Sequence, residues 1–342
     1  MQRLSCPSCG ARAYFHNLVC VCGLPLHYDP EARAMVNAAA SCGNRDSIGC
    51  NWIAEGDGHL CRSCAMSRVV PALHVGDNLS LLAGAEHAKR WVLVNLSRWD
   101  WFTDADPGMR PVFLMLSEKT QGRTERIVMG HASGQITINV TEADELIRLQ
   151  RQRQLGEQYR SMVGHFRHEL AHFCFDRLAL APGFLPAFRA LFGDERADYA
   201  TALQAHYANP RDPGEQFITS YATAHPHEDW AETFAHLLHL VDFSDSFVNC
   251  GLSMPGLPTD LDPYRETDSA RLLTAATEIA IAINSINRAL DNDDLYPFVL
   301  TGPVREKMAF AHGWMRDHIG REDQPALSSS VSHSSSAASS AV

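Results

Sequence analysis

Eight of the chain's ten cysteines stand before residue 65, in two sets of four: Cys6, Cys9, Cys20 and Cys22, then Cys42, Cys50, Cys61 and Cys64. That clustering constrains the N-terminal segment more than any other feature. The segment carries few large apolar side chains, so burial alone leaves it marginal, and a bound metal supplies what the core lacks. "CPSCG" opens the first set as a zinc knuckle, with small residues that let backbone N–H groups face the sulfurs. "CVCG" returns with one intervening residue, and "CRSC" closes the second set. Four thiolates can close a tetrahedral structural zinc site and leave no position open for chemistry. Two such sites build a platform. His16, His27 and His59 compete as ligands and read as surface or packing residues, so the pairing of cysteines between the two sites stays open.

A disulfide framework would suit a secreted chain. The N-terminal "MQRLSCPSCG" has no apolar h-region, and C-x-x-C pairs favour thiolate–metal sites in a reducing cytoplasm. A cytoplasmic location is therefore expected. The formal net charge of -11 argues against sequence-independent nucleic-acid binding, which needs a basic face. No run of 18 apolar residues occurs, so no membrane span is expected.

Organisation follows from the patterning. Residues 1–66 form the cysteine-rich module, 67–320 the main domain, and the Ser-rich 321–342 a disordered tail. "LSLLAGAEHAKRWVLVNLSRW" reads as an amphipathic helix, and "PVFLMLS" as a buried strand. "RIVMGHASGQITINV" reads as two short strands, with Ile136, Ile138 and Val140 alternating. Thr141 and Asp144 form a cap-like helix start. A further helix is expected from about Glu157 to Leu180, then helical text over 183–208, a helix from His227, one over 266–290, and one after Pro303. In 266–290 the apolar positions 272, 276, 279, 283, 286 and 290 give one buried stripe. The fold class expected is α+β: a mainly helical, zincin-like domain with a small β-sheet behind a zinc-ribbon module.

The expected helix from Glu157 contains "GHFRHELAHFCFD", with His168, Glu169 and His172 in an H-E-x-x-H pattern. Histidines four apart share one helix face. Two imidazoles there can hold zinc while Glu169 takes a proton from water. Asp176, one turn further on, could hydrogen-bond from behind the ligands. The third ligand must be remote, because Phe175 and Leu178 stand where the metzincin extension needs glycine and histidine. It is a carboxylate or a histidine. The best carboxylate cluster lies in "SYATAHPHEDWAETFAHLLHL", where Glu228 and Glu232 are four apart; Asp229, His225, His227, His236 and His239 compete. E-D-W-A-E resembles the E-x-x-A-E glutamate helix of gluzincins. That likeness implies Glu228 as ligand, Glu232 as support for a ligand histidine, and Tyr221, seven residues upstream, as hydrogen-bond donor to an oxyanion. Cys174 and Cys250 read as ordinary buried residues.

Taken together, "CPSCG", "CRSC", "GHFRHELAHF" and "AHPHEDWAETFAHLLH" resemble the bacterial zinc-binding metallopeptidases that carry an N-terminal zinc ribbon. The likeness runs to about residue 315. It implies a gluzincin-like peptidase with one catalytic and two structural zinc ions, acting on peptide or protein substrates. An extended substrate is expected to align on the strand near 135–140. The alternative is a non-catalytic zinc-binding scaffold whose ribbon module binds a partner, protein or nucleic acid.

Overall fold

The computed structural model describes residues 3–37, 40–56 and 58–318. The expected tail, 321–342, lies outside them. In the N-terminal module β1 (Leu4–Ser5) pairs antiparallel with β2 (Arg12–Ala13), and β3 (His27–Asp29) with β4 (Ala34–Val36). Two single-turn helices follow, α1 (Arg45–Ile48) and α2 (Arg62–Ala65). The module does not stop cleanly at residue 66. Its continuation, β5 (Ser67–Val69), joins the sheet of the main domain.

That domain contains α3 (Asn78–Ser97), β6 (Val112–Leu116), the small ribbon of β7 (Lys119–Thr120) and β8 (Arg123–Thr124), then β9 (Gly130–Ala132) and β10 (Gln135–Asn139). The four-stranded sheet has the order β5-β6-β10-β9. β10 runs parallel to β6 and antiparallel to β9. Ser133 and Gly134 link β9 to β10 with φ of 49° and 78°. Two successive positive φ values are what a two-residue hairpin matching the strand twist requires, and glycine takes the second without strain. Ile136, Ile138 and Val140 are fully buried. β10 is thus interior, and the edge next to the helices is β9. The expectation that the strand near 135–140 aligns a substrate is corrected on this point.

The helices are α4 (Glu145–Leu155), α5 (Met162–Leu178), α6 (Phe184–Phe192), α7 (Tyr199–Ala208), α8 (Pro226–Asn249), α9 (Ser269–Ala289) and α10 (Gly302–Arg316). Asp144 caps α4 by accepting from Leu146 N and Ile147 N. α5 starts later than Glu157 because Ser161 Oγ accepts from Gly164 N at 2.9 Å and fixes the first turn there. Helical text over 183–208 splits into α6 and α7, with Gly193 at a φ of 99° ending the first. Along α9 and its C-cap, Leu272, Ala276 and Ile279 are buried, whereas Ile286 and the capping Leu290 are 60% and 68% exposed. The apolar stripe outruns the surface available to cover it. Cys174 is buried as expected, but Cys250 is exposed at the end of α8.

One core runs through the module and the domain. Asp242 of α8 ties three helices together: it accepts from Trp91 and Asn95 of α3, at 2.7 and 2.9 Å, and from Arg167 of α5 at 2.7 Å. Arg62, in the "CRSC" knuckle, is buried and bonds Glu31, Glu55, Asp104 Oδ1 at 2.6 Å and the Phe102 carbonyl at 2.8 Å. The protein is therefore a mainly helical α+β chain with a ribbon module locked onto it. Among the described residues no helix is long and apolar enough to cross a membrane.

Candidate metal centre and active site

α5 and α8 pack side by side, and Trp230 sets their register by donating from Nε1 to the Ala171 carbonyl at 2.9 Å. Trp230 is fully buried, and it sits between Glu228 and Glu232, while Ala171 precedes His172. The two carboxylates thereby face the two histidines. His168 Nε2 lies 3.0 Å from Glu228 Oε2 and 3.2 Å from His172 Nε2. Glu228 Oε2 is 3.6 Å from His172 Nε2. On its other side, His168 Nδ1 lies 2.8 Å from Glu232 Oε1, and Glu232 Oε2 accepts from Thr219 Oγ1 at 2.8 Å.

The chemistry of this set fits a cation. One ligand-type atom from each of His168, His172 and Glu228 lies within 4.8 Å of the other two. Glu228 is 1% exposed, yet its Oε2 has no hydrogen-bond partner. A buried carboxylate oxygen without a donor is costly unless something positive completes it. If Nδ1 of His168 donates to Glu232, Nε2 presents a lone pair to the same point. Burial pushes Glu228 up, but the two imidazoles outweigh it and hold its carboxyl well below the usual range. Glu169 points into the same region with 6% exposure, and its Oε2 is also without a partner. Burial raises its pKa, opposed by the nearby histidines. That is the environment in which a carboxylate becomes a better proton acceptor.

Tyr221 lies on the 3₁₀ turn Tyr221–Thr223 before α8, its ring centroid 5.9 Å from that of His168. Burial, then the charge of Glu228, pushes its phenol well up, so it remains a donor. Asp176 departs from expectation. Its side chain is 57% exposed and stands 3.8 Å from His131 Nδ1 of β9. Among the described residues no hydrogen bond joins it to His168 or His172. The α-helical step from His172 carries it past the cluster to the sheet side.

The competing ligands go elsewhere. Asp229 bonds Lys307 of α10 at 2.6 Å, and burial, offset by that lysine, leaves it pushed up to about 6. His236 Nδ1 lies 3.2 Å from the Tyr296 hydroxyl, and the His239 ring packs 4.9 Å from Tyr159. His225 caps α8, accepting at Nδ1 from His227 N at 3.1 Å. His227 stacks on His225 at 5.3 Å and lies 6.4 Å from the His172 ring. His165, one turn before His168 and no competitor for the ion, lies 3.2 Å from Glu142 Oε2 through its Nε2.

Two residues escape a reading of the sequence. Tyr199, from α7, donates its hydroxyl to Glu228 Oε1. His131, on the edge strand, is brought against α5, its ring 5.9 Å from Phe173. Burial, then His172 and His227, hold it near 4. Neither has a spacing relation to the histidine helix that a sequence could display.

In the N-terminal module, Cys6, Cys9, Cys20 and Cys22 converge in one cluster and Cys42, Cys50, Cys61 and Cys64 in another. The expected division holds, and both are all-cysteine sets. The second is fully buried, whereas Cys9 and Cys22 of the first are exposed. Cys61 N donates to Cys42 Sγ at 3.3 Å, and Cys64 N to Cys61 Sγ at 3.4 Å, the amide–sulfur bonds expected of a knuckle.

Fold and sites together define a zinc-binding protein with a ribbon module ahead of a mainly helical domain. Residues 78–314 match the family described as "Putative zinc-binding metallo-peptidase", and residues 3–75 match a zinc-ribbon domain. The chain belongs to that family. It is 36% identical to uncharacterized proteins of Mycobacterium bovis and Mycobacterium tuberculosis, over 96% of this chain and 99% of theirs. No solved structure matches it.

Proposed function

We propose that the chain is a zinc-dependent metallopeptidase, with His168, His172 and Glu228 holding the catalytic ion. The observation that carries this reading is the partnerless, buried Glu228 Oε2 aimed at two imidazole nitrogens. Zinc, when bound, supplies Lewis acidity toward a carbonyl and toward water. Glu169 accepts a proton from the attacking water as its oxygen bonds to the carbonyl carbon. It then returns that proton to the leaving nitrogen as the C–N bond breaks. Tyr221 donates a hydrogen bond to the oxyanion. Glu232 orients His168, and the two cysteine clusters hold structural zinc. The free edge of β9, beside α5, aligns an extended peptide by strand addition.

The test is Glu169→Gln. Peptide hydrolysis is expected to vanish while zinc content stays at the wild-type level. A variant that still cleaves peptides contradicts the mechanism.

A further inference from the structure

One member of the site is assigned by nothing in the sequence pattern: the tyrosine at the start of α7. Glu228 is 1% exposed, so both of its carboxylate oxygens need partners. Oε2 faces the imidazoles. Oε1 is met by the Tyr199 hydroxyl, from a residue 29 positions upstream. Tyr199 itself is 42% exposed, so its ring lies partly in solvent while its hydroxyl reaches the buried carboxylate.

The start of α7 is held in place by α8 as well. His225 Nδ1 accepts from His227 N, which leaves the proton on Nε2, and Nε2 lies 3.1 Å from the Ala197 carbonyl. The rings of His225 and Tyr199 meet edge to face at 5.2 Å. The chain at 197–199 is thus bonded to the first turn of α8 at two points, Ala197 to His225 and Tyr199 to Glu228. α7 needs these bonds, because His206 is its one buried residue.

From this we infer that Tyr199 is a positioning residue for the metal centre: by occupying Glu228 Oε1 it leaves Oε2 alone to bind the ion, so that the carboxylate is presented through one oxygen. The inference rests on the reading of His168, His172 and Glu228 as ligands. A donor behind a metal ligand fixes its orientation, and its loss typically costs about 10–100-fold in metal affinity.

The experiment uses the full chain with zinc kept in the cysteine clusters and the third site emptied, then titrated with Co²⁺ against a chromophoric chelator. Tyr199→Phe is expected to weaken Co²⁺ binding about 10–100-fold. It should also change the d–d bands of the bound ion, because the freed carboxylate can coordinate through both oxygens. Tyr14→Phe, the same deletion at an exposed tyrosine of the N-terminal module, is expected to leave affinity and spectrum unchanged. Thermal unfolding of the metal-free variants separates folding from binding. Wild-type affinity and spectrum in folded Tyr199→Phe overturn the inference and leave the ligand reading intact. A wild-type chain that takes up no Co²⁺ outside the cysteine clusters overturns the ligand reading instead.

Discussion

Nδ1 of His168 lies 2.8 Å from Oε1 of Glu232, and this bond fixes which nitrogen of the imidazole is free. With Nδ1 engaged, Nε2 is left toward Glu228 and His172. Glu232 is itself held from its other oxygen by Thr219. The orientation of the first histidine is therefore built by α8 and the segment before it, not by α5 alone.

Glu232→Ala should keep the helices packed, because Trp230 and Asp242 still join α5 to α8. Affinity for zinc at the third site should fall about 10–100-fold. Chelator competition measures it, and an unchanged dissociation constant refutes the role assigned to Glu232.

The acid limb of stability should depend on Asp106. Its carboxylate bonds Arg177 of α5 at 2.6 and 2.8 Å, and Arg177 lies over the Trp101 ring at 4.4 Å. Burial alone raises Asp106, but the bonds and charge of Arg177 outweigh it and lower its pKa below the usual value. A lowered folded-state pKa gives stability that is present above the unfolded value, about 3.9, and lost as pH falls through the lower folded value. Asp106→Asn leaves Arg177 buried without its counter-charge, which typically costs about 3–5 kcal/mol near neutral pH. Urea unfolding from pH 7 down to pH 3 should show the gap to wild type constant at first, then closing below about pH 4. A gap independent of pH across that range contradicts the assignment.

Arg62 should decide whether the ribbon stays docked. Its bonds to Glu31 and Glu55 lie within the module, while those to Phe102 and Asp104 reach the main domain. Arg62→Ala should cost about 1–3 kcal/mol, because the acidic partners are partly exposed and screened. Arg62→Lys should recover little, since an ammonium cannot fork toward four acceptors. Limited proteolysis between residues 66 and 77 reads the docking directly, and wild-type resistance in Arg62→Ala rules it out.

Much of this architecture was legible because its signals are local. Cysteine spacing separated two clusters, and i, i+4 spacing put His168 with His172 and Glu228 with Glu232. The failures came where position depends on a third element. Asp176 shares a helix with the histidines, but its neighbour is His131 on β9. Alternation identified β10 as a strand and could not show that β6 and β9 flank it. Tyr199 reaches Glu228 only because the chain at 197–199 is bonded to the start of α8. Ile286 and Leu290 keep the helical period of a core stripe after the core has ended.

The proposed function requires a third metal centre, on α5 and α8, beside the two cysteine clusters. Native mass spectrometry of the purified chain counts the ions directly. Three zinc ions are expected per wild-type chain, one for each converging group, and two in His168→Ala with the ribbon still folded. Two ions in the wild type, unchanged by His168→Ala, would contradict it.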